Sequence, residues 1–436
     1  MNSASMIIKE RGALARNRTS LVTDKESIHA AQPTLRTSGA ASCAVLVERI
    51  GPYHLSRLNA IAGRLPTFAL EHFGMDSTYA WEKVSDAADF QRLTLLEHSK
   101  PGMRRDRALV AAVSETLTRV APAVVAIPGW YSKGALAALN WCLQTGTPAV
   151  VLSASSEIGK QRTSWKEALK RRIVRLFSAG VGGGTPQADY LARLGIPRSN
   201  VFLGYDVVDN GYFTQGADDA RRDTVDLRQS LGLPERYFLC ICRFIEEKNL
   251  PLLLEAYAAY RRHAGAPAWK LVLVGDGPLK PKLLKLRDEF GLTEDLLLPG
   301  FKQYQELPAY YGLASAFVLP SLSETWGLVT NEAMAAGLPV IISNHCGCAT
   351  DLVRDGENGF TFDPRDIVGL TSLLTKLASP ETNLAAMGKS SREIIARWTP
   401  ETFALSLQRA AEMAIAARPP VPKQFDRFLL WLMINR

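Results

Sequence analysis

Pro320-Ser321-Leu322-Ser323-Glu324-Thr325-Trp326-Gly327-Leu328-Val329-Thr330-Asn331-Glu332-Ala333-Met334-Ala335-Ala336-Gly337 is the stretch on which the fold turns. The apolar run over 316–319 before it predicts a buried strand. A polar turn follows, and the pattern then predicts a helix from about Trp326 that Gly337 stops as a C-cap. The amides of Gly327, Leu328 and Val329 would then be unpaired donors at a positive helix end, where backbone N–H groups and the helix dipole hold a diphosphate. Glu324 lies before this helix and Glu332 within it. At ~1.5 Å per helical residue their carboxylates sit roughly 10 Å apart, too far for one paired acid–base step but suited to gripping two ends of a longer ligand. For an isolated pair, a helix cap and a solvated helix residue would be the simpler account.

The same strand-then-helix rhythm extends on both sides. A strand over 238–242 leads to a helix over 250–262, one over 271–274 to a helix over 279–290, and a strand over 339–342 follows the quoted stretch. Upstream, a strand over 43–47 precedes the turn Arg49-Ile50-Gly51-Pro52 and a helix through His54, Leu58 and Ile61. Strands over 123–127, 149–152 and 180–184 then alternate with helices over 133–142, 165–177 and 186–194. Continuous apolar strands alternating with helices mean parallel sheets covered on both faces. A polar stretch over 211–235, rich in Gly, Asp and Arg, separates the two runs. The expected fold is therefore α/β, with two Rossmann-like doubly wound domains facing each other across a cleft, where ligands meet the carboxyl ends of strands. The expected boundaries are a mobile extension over 1–40, an N-terminal domain over 41–215, a linker over 216–235, a C-terminal domain over 236–398 and a helical tail over 399–436.

Composition agrees with two soluble domains: 436 residues, 47% hydrophobic and 22% charged. The net charge of +8 predicts attraction to anions, whether nucleic acid, anionic lipid or phosphorylated small molecules. Six cysteines and no secretory apolar region near Met1 point to the reducing cytoplasm. No apolar run reaches the ~18 residues of a membrane span, so the expectation is a protein in solution or on a membrane surface.

Phe238-Leu239-Cys240-Ile241-Cys242-Arg243-Phe244-Ile245-Glu246-Glu247-Lys248 puts Arg243 just past a buried strand and Lys248 in the loop entering the next helix. Both can reach one cleft, although pairing with Glu246 and Glu247 would explain them equally well in isolation. Leu273-Val274-Gly275-Asp276-Gly277-Pro278 is a strand-to-helix turn, and Leu298-Pro299-Gly300-Phe301 follows another apolar run.

Together with the quoted stretch, these segments resemble, in order over 238–362, the family 4 retaining glycosyltransferases of GT-B architecture. The resemblance implies that Arg243 and Lys248 clamp the donor diphosphate and neutralise charge growing on the departing oxygen. It implies that Glu324 meets the donor sugar's hydroxyls and Glu332 the nucleotide ribose. Gly275 and Gly277 would lie beside the nucleotide, Pro299, Gly300 and Phe301 beside its base, and Trp326, Gly327, Leu328 and Val329 along the donor. On the acceptor side, Gly51 and Pro52 stand where the family has a glycine-rich loop. The segment from Val208-Asp209 to Phe213 is similar to the family's Asn-Gly-Val-Asp, with Asn-Gly replaced. Members often carry a His after a middle strand; this chain has Ser153, Ser155 and Ser156 there, and His54 either supplies a polar contact or is structural. The family's C-terminal helix returns to the N-terminal domain, which the tail over 399–436 would do here.

The resemblance also implies retention of configuration, a nucleotide-sugar donor, a saccharide or lipid-linked acceptor, no cofactor and no obligatory metal. The chain has no Asp-x-Asp triplet. No side chain reads as a convincing general base, so the acceptor proton is expected to leave through the donor phosphate. The alternatives are a sugar-nucleotide epimerase of the same architecture and a basic nucleic-acid-binding protein, the latter opposed by the lack of a basic stripe interleaved with aromatics.

Three weaker features complete the reading. Val181-Gly182-Gly183-Gly184 lacks the spacing of a phosphate loop and reads as close packing, while His345-Cys346-Gly347-Cys348 lacks zinc spacing. The helix over 165–177 has an apolar stripe and a basic remainder that faces anionic lipid, a lipid-linked phosphorylated acceptor or plain solvent. The segment over 428–434 is apolar on all sides, so it is either buried or touches a membrane.

Overall fold

The computed structural model describes residues 41–75, 84, 88–98, 103–159, 162–264 and 268–436. The extension expected over 1–40 lies outside them.

The N-terminal domain alternates β1 (Cys43–Val47), α1 (Pro52–Ala62), β2 (Thr67–Met75), β3 (Gln91–His98), α2 (Met103–Val120), β4 (Val124–Pro128), α3 (Lys133–Thr145), β5 (Ala149–Ser153), α4 (Ser164–Val174), β6 (Ala179–Gly182), α5 (Thr185–Arg193) and β7 (Val201–Leu203). The strands order as 3-2-1-4-5-6-7, with parallel pairing throughout. After α6 (Asn210–Arg222) and α7 (Thr224–Leu231) come β8 (Tyr237–Ile241), α8 (Leu250–Ala264), β9 (Lys270–Val274), α9 (Lys280–Glu289), β10 (Leu296–Gly300), α10 (Leu307–Leu313) and β11 (Ala316–Leu319). The second domain closes with α11 (Leu328–Ala335), β12 (Val340–Ser343), α12 (Ala349–Leu352), β13 (Gly359–Phe362), α13 (Ile367–Ala378) and α14 (Leu384–Ile395). Its sheet orders as 10-9-8-11-12-13, also parallel. The order in which strands join the sheet reverses between β1 and β4 in the first sheet and between β8 and β11 in the second, and crevices for ligands open at such points.

β1, β5, β8, β11 and β12 are buried along their whole length, as expected of strands covered by helices on both faces. The expected linker over 216–235 is instead largely helical. In α6, Phe213, Ala217 and Ala220 repeat at helical spacing and enter the core of the second domain, so the polar composition there belongs to the opposite face. α15 (Pro400–Ala416) then packs Phe403, Leu407 and Ala411 into the core around β1, β4 and α1, on the N-terminal domain. α16 (Gln424–Asn435) lies on the same domain, with Leu429 and Leu430 in the core that contains α3. Asp426, 1% exposed, anchors α16 to α4 and its C-cap through Arg172 at 3.0 Å and Arg175 at 2.9 Å.

Candidate functional site

Arg243 follows β8 directly, is exposed, and makes no ion pair among the described residues. Its loop is fixed by the turn after β9. The Phe244 amide donates to the Asp276 carbonyl at 2.9 Å and the Leu279 amide to the Phe244 carbonyl at 3.0 Å. A Cβ on Gly275 would lie 1.9 Å from the Cys242 carbonyl oxygen, and one on Gly277 2.6 Å from that of Phe244. These two glycines therefore allow the backbones to touch and hold Arg243 at the cleft.

Lys248 pairs with Glu324, which comes from the loop after β11, and both side chains are largely shielded. Burial opposes the charge on Lys248, but the Glu324 carboxylate outweighs it and holds the ammonium above its usual range. Glu324 itself is pinned by backbone: its amide donates to the His345 carbonyl at 3.2 Å, and its carbonyl accepts from Gly347 at 3.0 Å. The run His345-Cys346-Gly347-Cys348 is thus a short ladder that positions Glu324.

Just beyond Glu324, Gly327 caps α11 at φ 104°, in the left-handed region, and its amide and those of Leu328 and Val329 find no acceptor among the described residues. Arg243, Lys248 and these amides thus come from the ends of β8 and β11, at the direction change of the second sheet. Gly300, at φ 82°, accepts the Gly275 amide at 3.0 Å; Pro299 is half-buried beside it, and Phe301 is 41% exposed.

One expectation changes, and one simpler account is excluded. Trp326, expected along the donor, is 1% exposed: its Nε1 donates to Asn331 at 2.9 Å and its ring packs 5.2 Å from that of Trp398. It fills space left by Gly183 and Gly184, where added Cβ atoms would stand 3.1 Å and 2.6 Å from its ring, so the glycine run serves packing between the domains. Glu332 is not a solvated helix residue. It is fully buried, with one oxygen taking the Tyr53 hydroxyl from the opposite domain and the other the Tyr311 hydroxyl at 2.6 Å. Burial raises its carboxyl to about 7 against the pull of both hydroxyls.

On the acceptor side, Gly51, Pro52 and His54 line a cavity of about 480 Å³ together with Tyr131 and with Leu328 of the other domain. His54 accepts the Gly51 amide through Nδ1 at 3.4 Å, and burial with the nearby Arg57 lowers its pKa to about 3. It is a neutral acceptor that shapes the turn. Ser153 and Ser155 hold the β5 loop by a 3.1 Å hydrogen bond.

Sequence reasoning missed Tyr53, Tyr311 and Asp206. Asp206 lines the same cavity, is 7% exposed, and its Oδ2 has no hydrogen-bond partner among the described residues. Burial raises its carboxyl to about 6, Arg57 opposing and Glu324 adding to the effect. It lies two residues before Val208, and only its neighbours carried a recognisable pattern. The domains are also tied by Gln187 to the Thr325 carbonyl at 2.8 Å, Asn331 to the Asp206 carbonyl at 3.2 Å, and Thr185 to Asp351 at 2.6 Å.

Residues 223–394 match the family model described as Glycosyl transferases group 1. The GDP-mannose-dependent alpha-(1-6)-phosphatidylinositol monomannoside mannosyltransferase of Mycobacterium tuberculosis is 32% identical over 191 residues, 42% of this chain and 49% of that one. Alpha-monoglucosyldiacylglycerol synthase of Acholeplasma laidlawii is 30% identical over 184 residues, 42% of this chain and 45% of that one. The chain spans about half the length of the curated relatives it matches. Among solved structures, sucrose-phosphate synthase from Thermosynechococcus elongatus superposes with a TM-score of 0.66 at 19% identity, over 85% of this chain and 98% of that one. Anabaena Alr3699/HepE in complex with UDP gives 0.67 at 16% identity, over 84% and 98%. Neither the epimerase nor the nucleic-acid reading gains support from these likenesses. The chain has the GT-B fold, and its residues 223–394 are similar to the family described as Glycosyl transferases group 1.

Proposed function

We propose that the chain is a retaining, metal-independent glycosyltransferase of family 4 that moves a hexosyl unit from a nucleotide-sugar to an acceptor hydroxyl in polysaccharide, lipopolysaccharide or glycolipid synthesis. The observation that carries the reading is the convergence on one end of the second sheet of Arg243, the Lys248–Glu324 pair and the amides at the start of α11, with no ion pair to Arg243 and no acceptor for those amides among the described residues. These groups suit a nucleoside diphosphate, and Glu324 suits hydroxyls on the sugar beyond it. Relatives named for mannosyl and glucosyl transfer support the reaction class.

In the proposed step the acceptor oxygen bonds to the anomeric carbon from the face the diphosphate leaves. The carbon–oxygen bond to the diphosphate breaks, its electron pair stays on the phosphate oxygen, and that oxygen takes the acceptor's proton. Arg243 and Lys248 stabilise the charge as it grows, the role a metal serves in Asp-x-Asp enzymes. We also propose that the protein works on the cytoplasmic face of an anionic membrane. No helix of the described residues is long and apolar enough to cross one, and Trp165 of the basic α4 and Phe428 and Trp431 of α16 are exposed.

A thermal-shift screen across UDP-, GDP- and ADP-sugars tests the donor site, since a ligand at 100 times its Kd stabilises by ~2.7 kcal/mol. With the donor so named, Arg243→Ala or Lys248→Ala lowers turnover by ~10²-fold or more. Unchanged transfer in both variants, or no stabilisation by any of the donors, overturns the assignment.

A further inference from the structure

A second cavity, of about 540 Å³, opens between α4, α16 and the Glu324 loop. Its size falls within the roughly 300–1,000 Å³ typical of small-ligand pockets. One wall is aliphatic: Leu169 and Ile173 from α4 face Leu429, Leu432 and Met433 from α16. The remaining wall is cationic, with Arg162, Lys166, Lys170 and Arg436 against two carboxylates, Glu167 and Glu324. Glu324 is already paired with Lys248.

Glu167 is committed as well. It accepts from Lys170 at 2.7 Å, Tyr190 at 2.8 Å and Arg162 at 3.0 Å; burial opposes its charge, but these bonds outweigh it and bring the carboxyl to about 2. It therefore holds Arg162 and Lys170 in place without neutralising both. The side chains of Lys166 and Arg436 have no carboxylate partner among the described residues. Arg162 also keeps a buried Nε without a hydrogen-bond partner among the described residues. Aliphatic and cationic surfaces that meet in one chamber match a molecule that is apolar at one end and anionic at the other. The chamber reaches Ser323, Glu324 and Thr325, and it shares Tyr131 with the cavity beneath Gly51 and Leu328.

We infer that this cavity binds the acceptor, and that the acceptor is an anionic amphiphile with an alkyl or polyprenyl chain and a phosphate. The chain lies between α4 and α16, the phosphate sits among Arg162, Lys166, Lys170 and Arg436, and the hydroxyl to be glycosylated is presented toward Glu324. This rests on the proposed transferase reading, which the donor screen tests separately. α16 is then part of the acceptor site rather than only a structural tail.

Dodecyl phosphate, kept below its micellar concentration, is titrated into the full-length protein by calorimetry, with dodecyl maltoside and inorganic phosphate as controls. Dodecyl phosphate is expected to bind at least tenfold tighter than either control. The double variant Lys166→Ala/Arg436→Ala, at positions exposed enough to leave the fold intact, weakens it by about tenfold. Leu169→Trp, which narrows the aliphatic wall, weakens it as well. The same variants keep the wild-type thermal shift with the donor's nucleoside diphosphate. Equal binding of dodecyl phosphate and inorganic phosphate, or of dodecyl phosphate to wild type and both variants, overturns the inference while a positive donor shift leaves the transferase reading standing. Loss of the donor shift in wild type removes the transferase reading first.

Discussion

Asp206 carries a cost that the fold bears for the sake of the cleft. Its carboxyl lines the acceptor-side cavity with Oδ2 unpartnered among the described residues, and burial lifts its pKa from 3.8 to about 6. A folded value above the unfolded one means that the native state binds the proton more tightly. Stability contributed by this proton is fully present below about pH 4 and is lost as pH rises through about 6. The displacement corresponds to roughly 3 kcal/mol at neutral pH. Glu332, raised to about 7, acts in the same direction. Asp206→Asn removes the ionisation, so it raises the stability of the ligand-free protein above pH 7 relative to wild type and flattens the limb between pH 4 and 6. Urea midpoints at pH 4, 6 and 8 measure this; an Asn variant no more stable than wild type at pH 8 would mean that the carboxylate has partners in solution that the structure lacks. Arg243 shows the opposite economy, an exposed cation with no ion pair among the described residues where an anion is expected. It was legible because it follows an apolar strand within a family-like segment, whereas Asp206 and Tyr53 sit in no pattern of their own.

Elements were legible where burial is uniform. β8, β9, β11 and β12 are short apolar runs with turns after them, and the sequence expected each within a residue or two. β2 and β3 went unread because Glu71 and His72 interrupt β2, and the partners that make Glu71 tolerable are distant: the Ile50 amide at 2.8 Å, Arg92 at 2.9 Å and Thr94 at 2.9 Å. A charge satisfied only by long-range contacts looks like a surface residue in one dimension. The α6 helix was obscured by its exposed polar face. α16 was read as apolar on all sides, and the structure divides it. Asp426, Leu429 and Leu430 face inward, while Phe425, Phe428 and Trp431 are more than half exposed, with Phe428 and Trp431 stacked at 6.2 Å. Arg172 covers the Phe425 ring at 4.6 Å, so the aromatic ridge is flanked by the basic surface of α4. Such a face suits the interface of an anionic bilayer. Phe428→Glu/Trp431→Glu should reduce co-sedimentation with phosphatidylglycerol-containing vesicles by about tenfold or more, with circular dichroism unchanged. Equal vesicle binding by the variant would leave the ridge without a membrane role.

At the scale of the whole molecule, the two domains meet through specific polar bonds, and one of them occupies a group the nucleotide is proposed to need. The Tyr53 hydroxyl, from the first turn of α1, donates to Glu332 across the cleft, and Tyr311 holds the other carboxylate oxygen. If Glu332 takes the ribose hydroxyls, as the family resemblance implies, Tyr53 must yield its place, and the measured donor affinity is reduced by the fraction of molecules in which it has not. A hydrogen bond to a charged group contributes roughly 1.5–3 kcal/mol, enough for such competition to register as about tenfold in affinity. Tyr53→Phe keeps the ring that packs edge-on to Tyr304 at 5.7 Å and removes only the hydroxyl. The variant is expected to bind the donor's nucleoside diphosphate about tenfold more tightly than wild type and to melt at a lower temperature without ligand. Calorimetric titration and a thermal scan read the two effects independently. Weaker nucleotide binding by Tyr53→Phe would instead make Tyr53 a partner of the nucleotide, and Glu332 would then be a structural carboxylate that fixes the start of α1.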